Sequence, residues 1–207
     1  MQRQGGIDAF KDAGIQSAIA SFAGGIVVTH IEWSGPAQQS IQVAWTQITD
    51  AAQSSAFAAD IAAAPRIYSG LTAPGSAINC VPPPNFSSNT FEGARWVIDM
   101  SGDGTQSDGS NTAAARDAFL ATTAGVSQAI NGLPIGGGAT LSNGYHANVV
   151  GGTNSLLIAG NGFADFGAAV KQKVGRGITN QTPEPGSLAL LGLALAGLAL
   201  VKRRKSA

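Results

Sequence analysis

The decapeptide RWVIDMSGDG, residues 95–104, decides the fold of this chain. Its first six residues, 95–100, are mostly apolar and predict a strand that is buried. The small and polar residues 101–104 end the strand abruptly, because glycine, serine and aspartate are typical of turns. A buried strand that stops at an Asp-containing turn is typical of α/β proteins, whose binding sites lie at the carboxyl ends of parallel strands.

The residues before this strand alternate between helical and extended patterns. Apolar residues recur at helical spacing over residues 7–19, and two β-rich segments flank a Ser-Gly-Pro turn, which predicts a hairpin. Asp50 is a plausible N-cap for the helix that follows the hairpin. The predicted elements are one helix over 7–19, strands over 25–33 and 41–48, a helix over 51–64, and a helix that begins near Thr72.

The alternation continues after a proline-rich loop over residues 81–91 and the strand at 95–100. The predicted elements are a helix over 113–124, a strand over 128–135, a short helix over 145–150, a strand over 155–159 and an amphipathic helix over 163–174. Strands that alternate with helices indicate an α/β fold. We therefore expect a doubly wound, mostly parallel sheet with helices on both faces.

Composition excludes several classes of protein. Hydrophobic residues make up 44% of the chain and charged residues only 12%, and the net charge is zero. Without the four cations near the C-terminus, eight basic residues remain against twelve acidic ones, so the body of the chain offers nucleic acid no basic surface. Cys80 is the single cysteine, which excludes an internal disulfide and a cysteine-based metal site.

The C-terminus reads PEPGSLALLGLALAGLALVKRRKSA and has three parts. A Pro-Glu-Pro turn comes first, then an uncharged apolar run over residues 188–201, then a basic cluster. A helix of fourteen residues extends about 21 Å. The run is therefore shorter than the roughly 20 residues that a bilayer core requires. The turn consists of Pro183, Glu184 and Pro185, and the basic cluster consists of Lys202, Arg203, Arg204 and Lys205.

This segment closely resembles the PEP-CTERM protein-sorting signal of Gram-negative bacteria. The resemblance implies recognition by an exosortase, delivery to the cell envelope or surface, and a hydrophobic C-terminal helix that is held in the membrane at least transiently. The basic end favours the cytoplasmic side, which places the body of the chain on the other side of the membrane. A buried C-terminal core helix is the alternative interpretation. The first residues contain no signal peptide, so we expect the true start to lie upstream.

The body of the chain resembles the DUF1194 family of von Willebrand factor A-like domains over residues 1–178. A linker with the Pro-Glu-Pro turn follows at 179–187, and the hydrophobic sorting segment at 188–207. The stretches that carry the resemblance are MQRQGGIDAFKDAGI, VVTHIEWSG, VAWTQITD, the pattern at 72–78, RWVIDMSGDG, NGLPIGG and DFGAAVKQKV.

The resemblance implies a metal-ion-dependent adhesion site that holds Mg²⁺ or a similar ion. Thr72 matches the threonine of such a site and Asp103 its aspartate. Mg²⁺ prefers six oxygen ligands, so hydroxyls and few carboxylates leave net positive charge and room for an acidic partner. The Asp-x-Ser-x-Ser loop of the family does not occur in this chain, and neither does the central first strand. We therefore expect this chain to bind metal weakly or not at all.

Other interpretations of these residues remain open. Thr72 also fits the role of a helix N-cap alone, and the dipeptide Asp103-Gly104 is common in ordinary turns. Asp99 lies in the predicted strand and is expected to accept local hydrogen bonds. Asp99, Ser101, Asp103 and Gly104 also fit the first positions of an EF-hand calcium loop, although Ser110 stands where that loop needs Glu.

The remaining reactive or aromatic residues suggest no enzyme. His30 and His146 have no ligand-spaced partner, and Cys80 has no cationic neighbour in sequence. Residues 136–138 are three glycines, which we interpret as a flexible turn because a phosphate loop would need other spacing and a lysine. Trp33 and Trp45 lie on the two hairpin strands, where cross-strand packing is favoured over a carbohydrate platform.

The sequence thus predicts a non-enzymatic binding or adhesion module at the cell surface or in its exopolysaccharide. Its ligand would be an acidic group on a protein or polysaccharide, bound through a Mg²⁺-type ion. The alternative is a structural component of the extracellular matrix with a vestigial metal site. A hydrolase that uses Asp99 or Asp103 as its base is disfavoured, because neither nucleophile nor oxyanion donor accompanies them.

Overall fold

A computed structural model describes residues 2–81, 86, 90–91, 93–121 and 126–160. Helices and strands alternate from residue 74 onward, as the pattern of the sequence predicts for the part after the hairpin. The helices are α1 Gln2–Phe10, α2 Ala13–Ala20, α3 Ala51–Ala63, α4 Pro74–Cys80, α5 Thr112–Ala121 and α6 Gly138–Asn148. The strands are β1 Ile26–Trp33, β2 Gln39–Ile48, β3 Arg95–Gly102, β4 Ser127–Pro134 and β5 Gly151–Gly152.

The predicted hairpin is confirmed, with β1 and β2 paired antiparallel from Ile26 opposite Ile48 to Trp33 opposite Gln39. Trp33 lies opposite Gln39, so Trp33 and Trp45 are not opposite each other across the hairpin. Both side chains pack against a hydrophobic core. The Trp45 ring lies with its centroid 5.2 Å from that of Phe86.

The strand that opened the sequence analysis is confirmed as β3, and it continues two residues further, through Gly102. It pairs parallel with β4, and β4 pairs antiparallel with the short β5. The α/β class is confirmed, and the pairing among the described strands is mixed. No strand forms at 155–159; single parallel bridges join Leu157 to Gly132 and Gly160 to Ile135 instead.

The first predicted helix is two helices. Asp12 adopts an extended backbone conformation, and its carboxylate accepts hydrogen bonds from the backbone N–H groups of Gly14 and Ile15. This N-cap starts α2 anew, because the capping side chain satisfies amide groups that an unbroken helix would have bonded internally. Asp50 caps α3 as predicted, with a 2.8 Å bond from the backbone N–H of Gln53.

The helix predicted at 145–150 begins seven residues earlier, at Gly138. The three glycines before and at its start all have left-handed backbone angles, with φ of 67°, 65° and 59° at Gly136, Gly137 and Gly138. Such angles suit glycine because it has no Cβ. The glycine turn therefore connects the end of β4 to the start of α6.

The apolar side chains form two clusters. The first core packs α1, α2 and α3 against the hairpin and contains Ile7, Ala9, Phe10, Ile15, Ile19, Ile26, Val43, Ile48, Phe57, Ala58, Ile61, Leu133 and Ile135. The second core lies among α4, α5, α6 and strands β3 and β4, and contains Ala77, Ile78, Val81, Phe86, Trp96, Ile98, Met100, Ala115, Phe119, Ile130, Leu141, Tyr145 and Val149. Residues of β4 thus enter both cores.

Several predictions fall on residues that the structure does not describe. They are the helix at 163–174, the linker at 179–187, the sorting segment at 188–207 and the last residues of the helix at 113–124. Among the described residues, none of the helices is long and apolar enough to cross a lipid bilayer.

Candidate functional site

The loops that carry the two residues predicted to bind metal meet at the carboxyl end of β3. Asp103 directly follows the last residue of this strand, and its side chain is exposed. Thr72 is half-buried in the loop before α4. A Cβ built on Gly104 would lie 2.8 Å from the Thr72 hydroxyl oxygen, so the two loops are in contact. We call the carboxyl end of β3 together with residues 71–73 and 103–105 the rim.

The loop that carries Thr72 is held from the side of the hairpin. The Ser34 hydroxyl donates to the carbonyl of Leu71 at 2.8 Å, and the backbone N–H of Ala73 donates to the carbonyl of Ser34 at 2.9 Å. Ser34 is buried, and its hydroxyl bond to Leu71 is partly buried. They fix the Thr72 backbone on one side.

The loop after β3 holds Thr72 from the other side. The backbone N–H of Thr72 donates to the Ser107 hydroxyl oxygen at 2.9 Å, and the Thr72 carbonyl accepts from the N–H of Ser107 at 2.9 Å. The N–H of Ser110 donates to the Ser76 hydroxyl oxygen at 3.1 Å. The two bonds with Ser107 use the backbone of Thr72, and the Thr72 hydroxyl oxygen lies beside Gly104.

The donor set suits a hard cation in kind. Thr72 offers a neutral hydroxyl and Asp103 a carboxylate, the oxygen ligands that Mg²⁺ prefers. The bare Cα of Gly104 leaves room beside the hydroxyl that a Cβ would fill. These two side chains would supply only part of the six ligands of such an ion, and water and a partner would have to supply the rest.

Tyr145 of α6 lies against the same rim, at the last residue of β3. It is 2% exposed, and its hydroxyl has no hydrogen-bond partner among the described residues. A Cβ built on Gly102 would collide with this hydroxyl oxygen and would lie 3.3 Å from Trp33. Burial, and to a smaller extent the negative charge of Asp103, raise the pKa of the Tyr145 hydroxyl far above its usual range. The group therefore stays protonated and is a hydrogen-bond donor.

Two alternative interpretations of the rim residues are wrong. Ala73, not Thr72, occupies the N-cap position of α4, and no side chain caps that helix. An EF-hand loop is not formed, because Asp99 and Ser101 lie within the extended backbone of β3.

Asp99 accepts a 3.0 Å hydrogen bond from the side-chain amide of Asn131 on β4, as predicted for a residue that bonds locally. The Asp99 side chain is nonetheless exposed. Asn131 is fully buried, and its amide oxygen accepts from the N–H of Leu156 at 2.9 Å. Asn131 thus joins β3 to the segment after β5, and the sequence analysis missed this residue.

The histidines form no metal centre. Within the described parts of the chain, no three His, Cys, Asp or Glu side chains lie close enough together to hold an ion. His30 is half-buried on β1, and His146 is exposed on α6. Burial lowers the pKa of His30, the charge of Arg3 lowers it further, and Glu32 partly opposes both.

This lowered pKa predicts that acid destabilises the fold. His30 takes up a proton more readily when the chain is unfolded, with a pKa near 6.5. Its contribution is complete above that pH and is lost as the pH falls through the lower folded-state pKa, with a slope of at most about 1.4 kcal/mol per pH unit. Denaturant unfolding between pH 5.5 and 7.5 measures the slope.

We expect His30→Gln to flatten that pH dependence. The matched control is His146→Gln, since His146 is exposed and its replacement should leave the slope as it is. Equal slopes for wild type and His30→Gln would contradict the assignment.

Two family models match the chain. The model described as a protein of unknown function, DUF1194, matches residues 1–182. The model described as the PEP-CTERM protein-sorting motif matches residues 181–205. No curated protein sequence matches significantly.

The fold is similar to that of a matrix protein of known structure. Two crystal forms of proximal thread matrix protein 1 from the mussel byssus align with a TM-score of 0.58, at 15% and 16% sequence identity. The alignment covers 83% of this chain and 42% of the mussel chain, so this chain spans less than half the length of that protein. Identity this low establishes a shared fold and no more.

Proposed function

The chain belongs to the DUF1194 family, and on that premise we propose that this von Willebrand A-like domain is a non-enzymatic binding module of the bacterial cell surface or its exopolysaccharide. The motif at residues 181–205 implies processing by an exosortase and a place in the envelope or at the surface of a Gram-negative cell. A domain carried to that place meets polysaccharides and neighbouring proteins as its partners.

The rim is the proposed binding site. Thr72 and Asp103 come from different loops, and the bonds of Ser34 and Ser107 hold the loop of Thr72 against the turn that contains Asp103 and Gly104. We propose that these two side chains hold a Mg²⁺-type ion. When bound, such an ion supplies positive charge and a coordination position for a carboxylate of the partner. The observation that carries the proposal is the contact between the Thr72 hydroxyl and the Asp103-Gly104 turn.

A single carboxylate sets the strength of this site. The ion keeps one net positive charge when only Asp103 neutralises it, which favours an acidic partner as a further ligand. The same shortage of protein oxygens implies weak binding of the ion alone, with a dissociation constant on the order of 10⁻⁴–10⁻³ M by analogy with extracellular calcium modules.

Thermal unfolding with added Mg²⁺ tests the site. A ligand that binds only the folded state stabilises it by about 2.7 kcal/mol at 100 times its dissociation constant. We expect the melting temperature to rise with Mg²⁺, to return when a chelator is added, and to be insensitive to Mg²⁺ in Asp103→Asn.

The matched control is Asp108→Asn, in the same loop. Asp108 is exposed and its carboxylate accepts a hydrogen bond from the N–H of Gly109, so its replacement removes one negative charge without touching the rim. The Mg²⁺ response should survive in this variant. Loss of the response in both variants would reduce the effect to general charge screening and contradict the site.

A structural role in the extracellular matrix is the second candidate. It is favoured by the fold shared with a byssus protein that is itself named a matrix protein. In that case the domain acts as a spacer and the rim is vestigial. Melting temperatures that ignore both Mg²⁺ and chelator, in wild type and Asp103→Asn alike, would support this candidate.

A further inference from the structure

Two glycines on neighbouring strands make room for the Tyr145 ring. Gly132 lies opposite Met100 in the β3–β4 register, and Gly102 lies opposite Pro134. A Cβ on Gly132 would be 3.1 Å from the ring, and a Cβ on Gly102 would meet the hydroxyl. The ring therefore lies across both strands, with its hydroxyl at the residue that precedes Asp103.

The hydroxyl at the end of this ring has no partner among the described residues, although it is buried. Buried polar groups in native proteins are nearly always hydrogen-bonded, and an unsatisfied one requires an explanation. An acceptor that arrives only in another state of the site is such an explanation. Asp103 is the acidic residue whose charge acts on this hydroxyl.

We propose that Tyr145 is a positioning residue, whose hydroxyl donates a hydrogen bond to the Asp103 carboxylate when the rim holds its cation. This inference rests on the proposed function. One carboxylate oxygen then faces the ion and the other accepts from Tyr145. The bond fixes the orientation of a side chain that is otherwise exposed at the end of a strand.

The affinity of Mg²⁺ for Tyr145→Phe gives the first test, because this change removes the hydroxyl and keeps the ring. A hydrogen bond to a charged group is strong enough that its loss should weaken Mg²⁺ binding roughly tenfold or more. The metal-free variant should melt at or above the temperature of the wild type, since it no longer buries an unsatisfied hydroxyl.

The control and the second test both use Tyr68, because the chain has two tyrosines. Tyr68→Phe should bind Mg²⁺ as the wild type does, and it leaves Tyr145 as the one source of tyrosine signal. With ring-labelled tyrosine in this variant, the C–O stretching band of Tyr145 should shift on addition of Mg²⁺ and return on addition of chelator. This readout needs no replacement of Tyr145.

The outcomes separate this inference from the proposed function. If wild type binds Mg²⁺ but Tyr145→Phe keeps the same affinity, or if the band does not shift, the positioning role is overturned and the ion site stands. If wild type and Tyr68→Phe both ignore Mg²⁺, the ion site and the positioning role fall together. A weaker affinity accompanied by the band shift supports the inference.

Discussion

Gly25→Ala is expected to lower the free energy of unfolding by roughly 2–5 kcal/mol. Gly25 has a φ of 69°, a backbone conformation that costs any residue with a Cβ energy. A Cβ there would also overlap the carbonyl oxygen of Ile48 and lie 2.9 Å from the Cα of Thr49. The chain between α2 and β1 therefore passes against the end of β2 with no space for a side chain. Urea unfolding of the purified chain measures the loss.

The neighbouring glycine provides the control. Gly24 also has a positive φ, of 86°, but a Cβ built on it meets nothing within 4 Å. Gly24→Ala should therefore cost only the backbone strain, about 1–2 kcal/mol. Equal losses in the two variants would mean that the contact with Ile48 yields freely, contrary to our expectation.

Phe119→Ala is the second change with a large expected effect. Phe119 is 1% exposed on α5 and belongs to the second core. Its ring centroid lies 6.1 Å from that of Phe86. Truncation removes the ring and leaves a cavity between α5 and β4, which should cost about 3–5 kcal/mol. Equilibrium unfolding in urea measures the loss.

Leu120→Ala is the control for this cavity. Leu120 is the next residue of the same helix and is only partly buried against the same core. Its truncation removes apolar contacts without emptying the centre, so the loss should be clearly smaller. A loss at Leu120 as large as that at Phe119 would contradict the placement of the cavity.

Local sequence signals were sufficient for much of the fold. The hairpin, the Asp50 cap and the strand that begins at Arg95 follow from alternation, capping chemistry and a turn, all of which act within a few residues. The break between α1 and α2 was missed because the apolar spacing continues across Asp12. The start of α6 was missed because glycine favours turns over helices, so sequence alone does not show that the helix begins at Gly138.

The candidate site could be proposed only through the family resemblance. It matched Thr72 and Asp103 to one ion site, and the structure places their loops in contact. The Tyr145 hydroxyl could not be predicted, because its place depends on Gly102 and Gly132 lying on adjacent strands in a fixed register. Gly132 lies opposite Met100, and Gly102 lies two positions after Met100 on the same strand. This diagonal arrangement of the two glycines can be recognised only once the pairing of β3 and β4 is known.

The division of apolar residues between the two cores has a consequence for how the molecule loses its structure. Leu133 of β4 and Ile135 just after it enter the first core, while Ile31, Trp33 and Trp45 of the hairpin pack against the second. Neither core can unfold while the other stays folded, because each contains side chains from elements that belong mainly to the other core. Thermal unfolding should therefore be one cooperative event, and an ion bound at one edge would raise the stability of the entire domain.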